Sequence, residues 1–122
     1  MRHILIIEDD ETLQKVYSEV LKQHGYTITT ASSGPEGMRV FAGTTIDLVL
    51  LDIMLPGGMN GFDILTQLKR DDTLKNIPVI VLTNLDTEKQ TALDFGASDC
   101  FFKATMELQT LVEKIKSRLP IV

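Results

Sequence analysis

With 122 residues, 43% of them hydrophobic and 24% charged, the chain has the size and composition of one globular domain, long enough to bury a core without disulfide or metal staples. A net charge of −5 argues against binding nucleic acid or anionic lipid through bulk electrostatics. The lone cysteine, Cys100, rules out an internal disulfide and fits a reducing cytosol, and no run has the length of a membrane span or the form of a signal peptide.

The first apolar run, Ile4-Leu5-Ile6-Ile7, predicts a strand over residues 3–8 buried on both faces. Leu13, Val16, Tyr17, Val20 and Leu21 then recur at helical spacing and predict a helix over 10–24, with Gly25 at its left-handed end. Tyr26-Thr27-Ile28-Thr29-Thr30 alternates and is Thr-rich, as an edge strand is. Ser33-Gly34-Pro35 opens a second helix, where proline is tolerated in the first turn. Residues 46–51 predict a third strand, followed by a Gly-rich loop and a helix over 61–70. Pro78-Val79-Ile80-Val81-Leu82 predicts a fourth strand, since proline is permitted at a strand start. A helix is expected over 86–95, ending at Gly96, and Cys100-Phe101-Phe102 as a short fifth strand. Leu108, Leu111, Val112, Ile115 and Leu119 mark a last helix. No repeat, low-complexity tract or linker breaks the pattern, so one domain over 1–122 is expected.

A βα unit used five times predicts a doubly wound parallel sheet with helices on both faces. Ligands in such folds bind at the carboxyl ends of the strands. Those ends carry Glu8 and Asp9 after the first strand, Asp52 after the third, Thr83 and Asn84 after the fourth, and Lys103 after the fifth. Singly, each has an ordinary role: an Asp after a strand caps a helix, and a Lys guards an edge. Together, three acids, a hydroxyl and an ammonium suit a hard cation such as Mg²⁺ beside a phosphoryl group, with a carboxylate as nucleophile. Lys103 supplies a mobile point charge for an anionic oxygen. Asp10 and Glu11 are expected to open the first helix.

These residues carry a resemblance. Ile4-Leu5-Ile6-Ile7-Glu8-Asp9-Asp10-Glu11, Asp47-Leu48-Val49-Leu50-Leu51-Asp52-Ile53-Met54-Leu55-Pro56, Pro78-Val79-Ile80-Val81-Leu82-Thr83, and Gly96-Ala97-Ser98-Asp99 ahead of Lys103 resemble the receiver domain of bacterial two-component response regulators over essentially the whole chain. The resemblance implies an α/β, flavodoxin-like, three-layer (βα)5 sandwich with strand order 2-1-3-4-5. It implies that Asp52 accepts a phosphoryl group from a sensor histidine kinase or histidine phosphotransfer protein. Glu8 and Asp9 would hold Mg²⁺, with Asp9 the more direct ligand, helped by Asp52 and the Met54 backbone carbonyl. Thr83 would hydrogen-bond the phosphoryl group and Lys103 would pair with it. The output surface would be the fourth helix, fifth strand and fifth helix, presented to a downstream effector protein or domain or to a phosphorylation-dependent homodimer. Direct contact with nucleic acid or membrane is not expected, and the location would be cytoplasmic. The chain would assist its own modification without being an enzyme in the turnover sense, either as a stand-alone receiver or as a domain of a longer protein.

The chain departs from the family pattern in places. Ala104 follows Lys103 where proline in a cis peptide is usual. A cis bond before Ala costs roughly 2.5–4 kcal/mol, so a trans bond is expected. Cys100 stands where a switch Tyr or Phe is common, and is expected as a small packed residue. Asn84 replaces the usual Ala or Gly. Met54 and Leu85 replace polar groups that guide water, which predicts slow hydrolysis of an aspartyl phosphate. Gly57-Gly58 adds one residue to a permissive loop.

Other functions fit less well. A phosphohydrolase resembling the haloacid dehalogenase group needs a general acid two residues beyond its nucleophile, where this chain has Met54. A flavodoxin-type electron carrier needs a phosphate-binding first loop, where this chain has four acids, and it offers no Trp and only two Tyr for stacking. A pseudo-receiver, folded alike but used as a phosphorylation-independent binding module, stays open through Asn84, Cys100 and Ala104.

Overall fold

A computed structural model describes residues 2–121; Met1 and Val122, the ends of the expected domain, lie outside the described residues. Five strands, β1 (His3–Ile7), β2 (Thr27–Ala31), β3 (Leu48–Asp52), β4 (Val79–Thr83) and β5 (Asp99–Phe102), alternate with α1 (Glu11–Gln23), α2 (Gly34–Gly43), α3 (Gly61–Arg70), α4 (Lys89–Asp94) and α5 (Leu108–Arg118). All pairings are parallel, in the order β2-β1-β3-β4-β5. This is the flavodoxin-like order that the family resemblance implies.

The central strands β1, β3 and β4 are apolar but for one end residue each, His3, Asp52 and Thr83, because helices cover both faces, yet their side chains still alternate. Ile4, Ile6, Leu48, Leu50, Ile80 and Leu82 pack with Tyr17 and Leu21 of α1 and Leu111, Val112 and Ile115 of α5. Leu5, Ile7, Val49, Leu51, Val79 and Val81 pack on the other face with Ile64, Leu65 and Leu68 of α3 and Ala92 of α4. The Tyr26 hydroxyl donates to the Leu119 carbonyl at 2.6 Å, tying the start of the edge strand to the end of α5.

Two boundaries differ from the periodicity by more than one residue. The third strand begins at Leu48, two residues late, because Asp47 is used as a clasp: its carboxylate accepts from the His3 amide at 2.8 Å, and its own amide donates to the His3 carbonyl at 2.8 Å. The fourth helix is preceded by a 3-10 turn, Asp86–Glu88, and then runs only six residues. Leu85 occupies the capping position there and offers no side-chain acceptor, so the first turn winds tightly instead.

Three glycines shape the approach to the strand ends. Gly57 and Gly58 both have φ +83°, a left-handed conformation that only glycine adopts without strain. Gly61 opens α3 directly against β3; a Cβ there would sit 2.6 Å from the Asp52 carbonyl oxygen.

Candidate functional site

Parallel register delivers the ends of β1 and β3 side by side, with the end of β5 beyond that of β4 on the same edge of the sheet. Glu8 continues β1 by one hydrogen bond, from its amide to the Ala31 carbonyl at 3.0 Å. Asp52 is the last residue of β3, level with Leu82 of β4. Lys103 follows β5 and is fixed by donation from its amide to the Thr83 carbonyl at 2.7 Å. A cleft of about 450 Å³ opens there, bordered by Glu8, Asp9, Asp52, Met54, Asn84 and Lys103.

The charges meet in this cleft. The Lys103 Nζ lies 2.5 Å from Glu8 Oε1 and 3.3 Å from Asp52 Oδ2. Glu8 and Asp52 are 2% and 4% exposed, a degree of burial that carboxylates tolerate only when paired. The second Glu8 oxygen accepts from the Asp10 amide at 3.3 Å, and Asp52 Oδ1 accepts from the Met54 amide at 3.2 Å. Carboxylate oxygens of Glu8, Asp9 and Asp52 fall within 4.8 Å of one another, with Asp9 open to solvent. Three hard oxygen donors against one ammonium form a donor set that fits a small divalent ion.

Proton affinities follow from this crowding. Burial raises the Glu8 carboxyl above the ordinary range and the neighbouring Asp52 adds to it, against the opposing pull of Lys103. For Lys103, burial works against the charged form, but the Glu8 hydrogen bond and the Asp52 charge outweigh it and hold the ammonium above its usual value.

The expected residues are not all gathered. Glu8, Asp9, Asp52, Lys103 and Met54 border the cleft. The Thr83 hydroxyl does not: it donates to Glu88 Oε1 at 2.5 Å and its oxygen accepts from the Leu85 amide at 3.1 Å. The Lys103–Ala104 bond is trans, as there is no cis peptide among the described residues. Cys100 is 6% exposed and packs in the core under α4, where burial pushes its thiol up.

Three residues escaped the sequence pattern. The Gln14 amide of α1 donates to the Glu8 carbonyl, to Ser32 Oγ at 3.0 Å and to the Ala31 carbonyl at 3.3 Å, pinning the β1 end to the β2 end. Tyr17, assigned to the apolar stripe, also borders the cleft; side chains on a helix lean toward its N-terminus, which carries the phenol up to the strand ends. Glu88 has no sequence signal beyond its position in a charged segment.

The response regulator receiver domain family profile matches residues 4–116. The uncharacterized transcriptional regulatory protein YkoG of Bacillus subtilis is 40% identical over 119 residues, covering 96% of this chain and 50% of that protein. The sensory transduction protein RegX3 of Mycolicibacterium smegmatis is 35% identical, covering 98% of this chain and 51% of that protein, so the chain spans about half the length of these relatives. Among solved structures, the response regulator TrrA of Thermotoga maritima, in complex with Mg²⁺-BeF, superposes with a TM-score of 0.86 at 28% identity, covering 98% of this chain and 100% of that one.

Proposed function

We infer that this chain, which belongs to the response regulator receiver domain family, takes a phosphoryl group onto Asp52 from a phosphohistidine of a sensor histidine kinase or histidine phosphotransfer protein. The observation that carries the inference is a buried Asp52 carboxylate with the Lys103 ammonium 3.3 Å away and two further acids in the same cluster. An Asp52 oxygen bonds to phosphorus as the P–N bond to the donor imidazole breaks, and the electron pair stays on the ring nitrogen. Lys103, already facing Asp52, offsets charge on the phosphoryl oxygens.

Glu8, Asp9, Asp52 and the Met54 backbone carbonyl would hold Mg²⁺, whose chemistry there is to offset the charge of the acids and of the phosphoryl oxygens. The hard donor set around a single ammonium supports that assignment. The residues two positions beyond Asp52 and Thr83, Met54 and Leu85, are apolar and 59% and 51% exposed. Neither can orient an attacking water, so the aspartyl phosphate is long-lived. Kinase and effector partners, a phosphorylation-dependent homodimer, output through α4, β5 and α5, and a cytoplasmic location belong to the same proposal. Among the described residues no helix is long and apolar enough to cross a membrane.

Incubation with Mg²⁺ and acetyl phosphate, followed by intact mass, tests this. One added phosphoryl is expected, absent in Asp52→Asn and persisting well beyond seconds once the donor is removed. Loss within seconds would refute the long lifetime. No gain in mass at all would leave the phosphorylation-independent binding module as the better account.

A further inference from the structure

The Thr83 hydroxyl is 1% exposed with its residue, and its surroundings are fully specified. It donates to Glu88 Oε1 at 2.5 Å, with the Leu85 carbonyl a longer second acceptor at 3.4 Å, and its oxygen accepts from the Leu85 amide at 3.1 Å. A hydroxyl has one proton to donate. The bond to Glu88 and a bond to a phosphoryl oxygen are therefore mutually exclusive. Thr is stiff at χ1, so moving between the two partners means a hop between staggered wells rather than a gradual lean.

Glu88 sits on a segment built to move. It is half-buried at the end of the 3-10 turn Asp86–Glu88, which has no side-chain cap. The helix that follows has six residues and buries only Ala92. Below the turn lies Cys100, whose thiol feels the charges of Lys89 and Glu88. A thiol offers no ring to swing into a vacated space, so a signal from Thr83 toward α4 needs another carrier.

We infer that Glu88 is a positioning residue for Thr83: its carboxylate holds the hydroxyl on the α4 side, and a phosphoryl group on Asp52 must take that hydroxyl from it, freeing Glu88 and its turn. The inference rests on the phosphoacceptor reading of Asp52 and adds to it the element that converts phosphorylation into a change at α4. A charged acceptor makes a strong hydrogen bond, so the free chain is held in the unswitched arrangement. Phosphoryl binding is weakened by the same contact. The missing cap and short helix then make the release of α4 the easier response.

The test is calorimetric titration of the whole chain with beryllofluoride in the presence of Mg²⁺, for the unaltered chain, Glu88→Ala, Glu88→Gln, Thr83→Ala and the Thr83→Ala/Glu88→Ala pair. Glu88→Ala is expected to bind about tenfold more tightly, the factor that one such hydrogen bond represents. Glu88→Gln, which keeps the shape and lowers the acceptor strength, is expected to fall between, and serves if the alanine variant folds poorly. In the Thr83→Ala background the Glu88→Ala gain should vanish. Equal affinity with and without Glu88 overturns the proposal, as does a gain that persists without the Thr83 hydroxyl. If the unaltered chain binds no beryllofluoride with Mg²⁺, the phosphoacceptor reading itself falls and takes the latch with it, an outcome distinct from normal binding that is indifferent to Glu88.

Discussion

The two helices that flank the strand ends are built to opposite standards. α1 runs 13 residues from an Asp10 cap whose carboxylate accepts from the Thr12 and Leu13 amides. It buries Tyr17 and Leu21 and is tied by Gln14 to the ends of β1 and β2. α4 runs six residues from an uncapped 3-10 turn and buries one alanine. Its Phe95 end is 44% exposed and meets Phe62 of α3 at a ring-centroid distance of 5.2 Å. The acids of the site are anchored on the α1 side, while Thr83 leans toward the α4 side. For the proposed phosphoacceptor site, which would keep its charges fixed and report their change, that asymmetry is an advantage: low-stability elements are the ones that move.

Core deletion should expose the contrast most strongly. Leu21 is fully buried between α1 and the sheet, so Leu21→Ala should cost about 2–5 kcal/mol in urea unfolding. Ala92, though equally buried, holds only a methyl group, and Ala92→Gly should cost about 1–2 kcal/mol, helix propensity included. Equal losses at the two positions would erase the distinction. Next in size is the cap. Asp10→Ala removes the acceptor for two α1 amides and should cost about 1 kcal/mol, read as a shift of the urea midpoint with unchanged slope. No shift would mean that Gln14 and the core hold the α1 start unaided.

The same asymmetry decides how much was legible in the amino-acid order. Buried strands announce themselves because Ile4–Ile7 and Leu48–Leu51 are apolar without interruption, and the five βα repeats leave few topologies. Glu8, Asp9, Asp52 and Lys103 could be placed together because each ends or follows a strand whose end the topology fixes. Thr83 was placed at the right strand end, but the acceptor that its hydroxyl has in the absence of a phosphoryl group, Glu88, was not foreseen. A backbone position follows from register; a rotamer follows from competing acceptors, and the winning acceptor, Glu88, comes into range only through the 3-10 turn. That turn was itself hidden, since residues 86–95 carry helical spacing whether or not their first turn is capped. Asp47 illustrates the same limit: an acid ahead of an apolar run looks like strand, and only the His3 amide across the sheet shows it to be a clasp.

The smallest expected effect is also the sharpest, because it gives the α4 side what the α1 side already has. Leu85 has φ −117° and ψ 114°, the extended geometry of a capping residue, and its side chain is half exposed. Leu85→Ser places a hydroxyl where it can accept from a free amide of the first turn, a gain of about 0.5–1 kcal/mol. Amide exchange over Glu88–Ala92 should slow by a factor of about 2–5, the equivalent of that energy. Unchanged exchange would mean that the segment opens for some reason other than its missing cap. Slower exchange would show that the looseness of α4 comes from one residue at its start rather than from its short length. It would also hold Glu88 more firmly against Thr83, where a phosphoryl group on Asp52 would have to displace it.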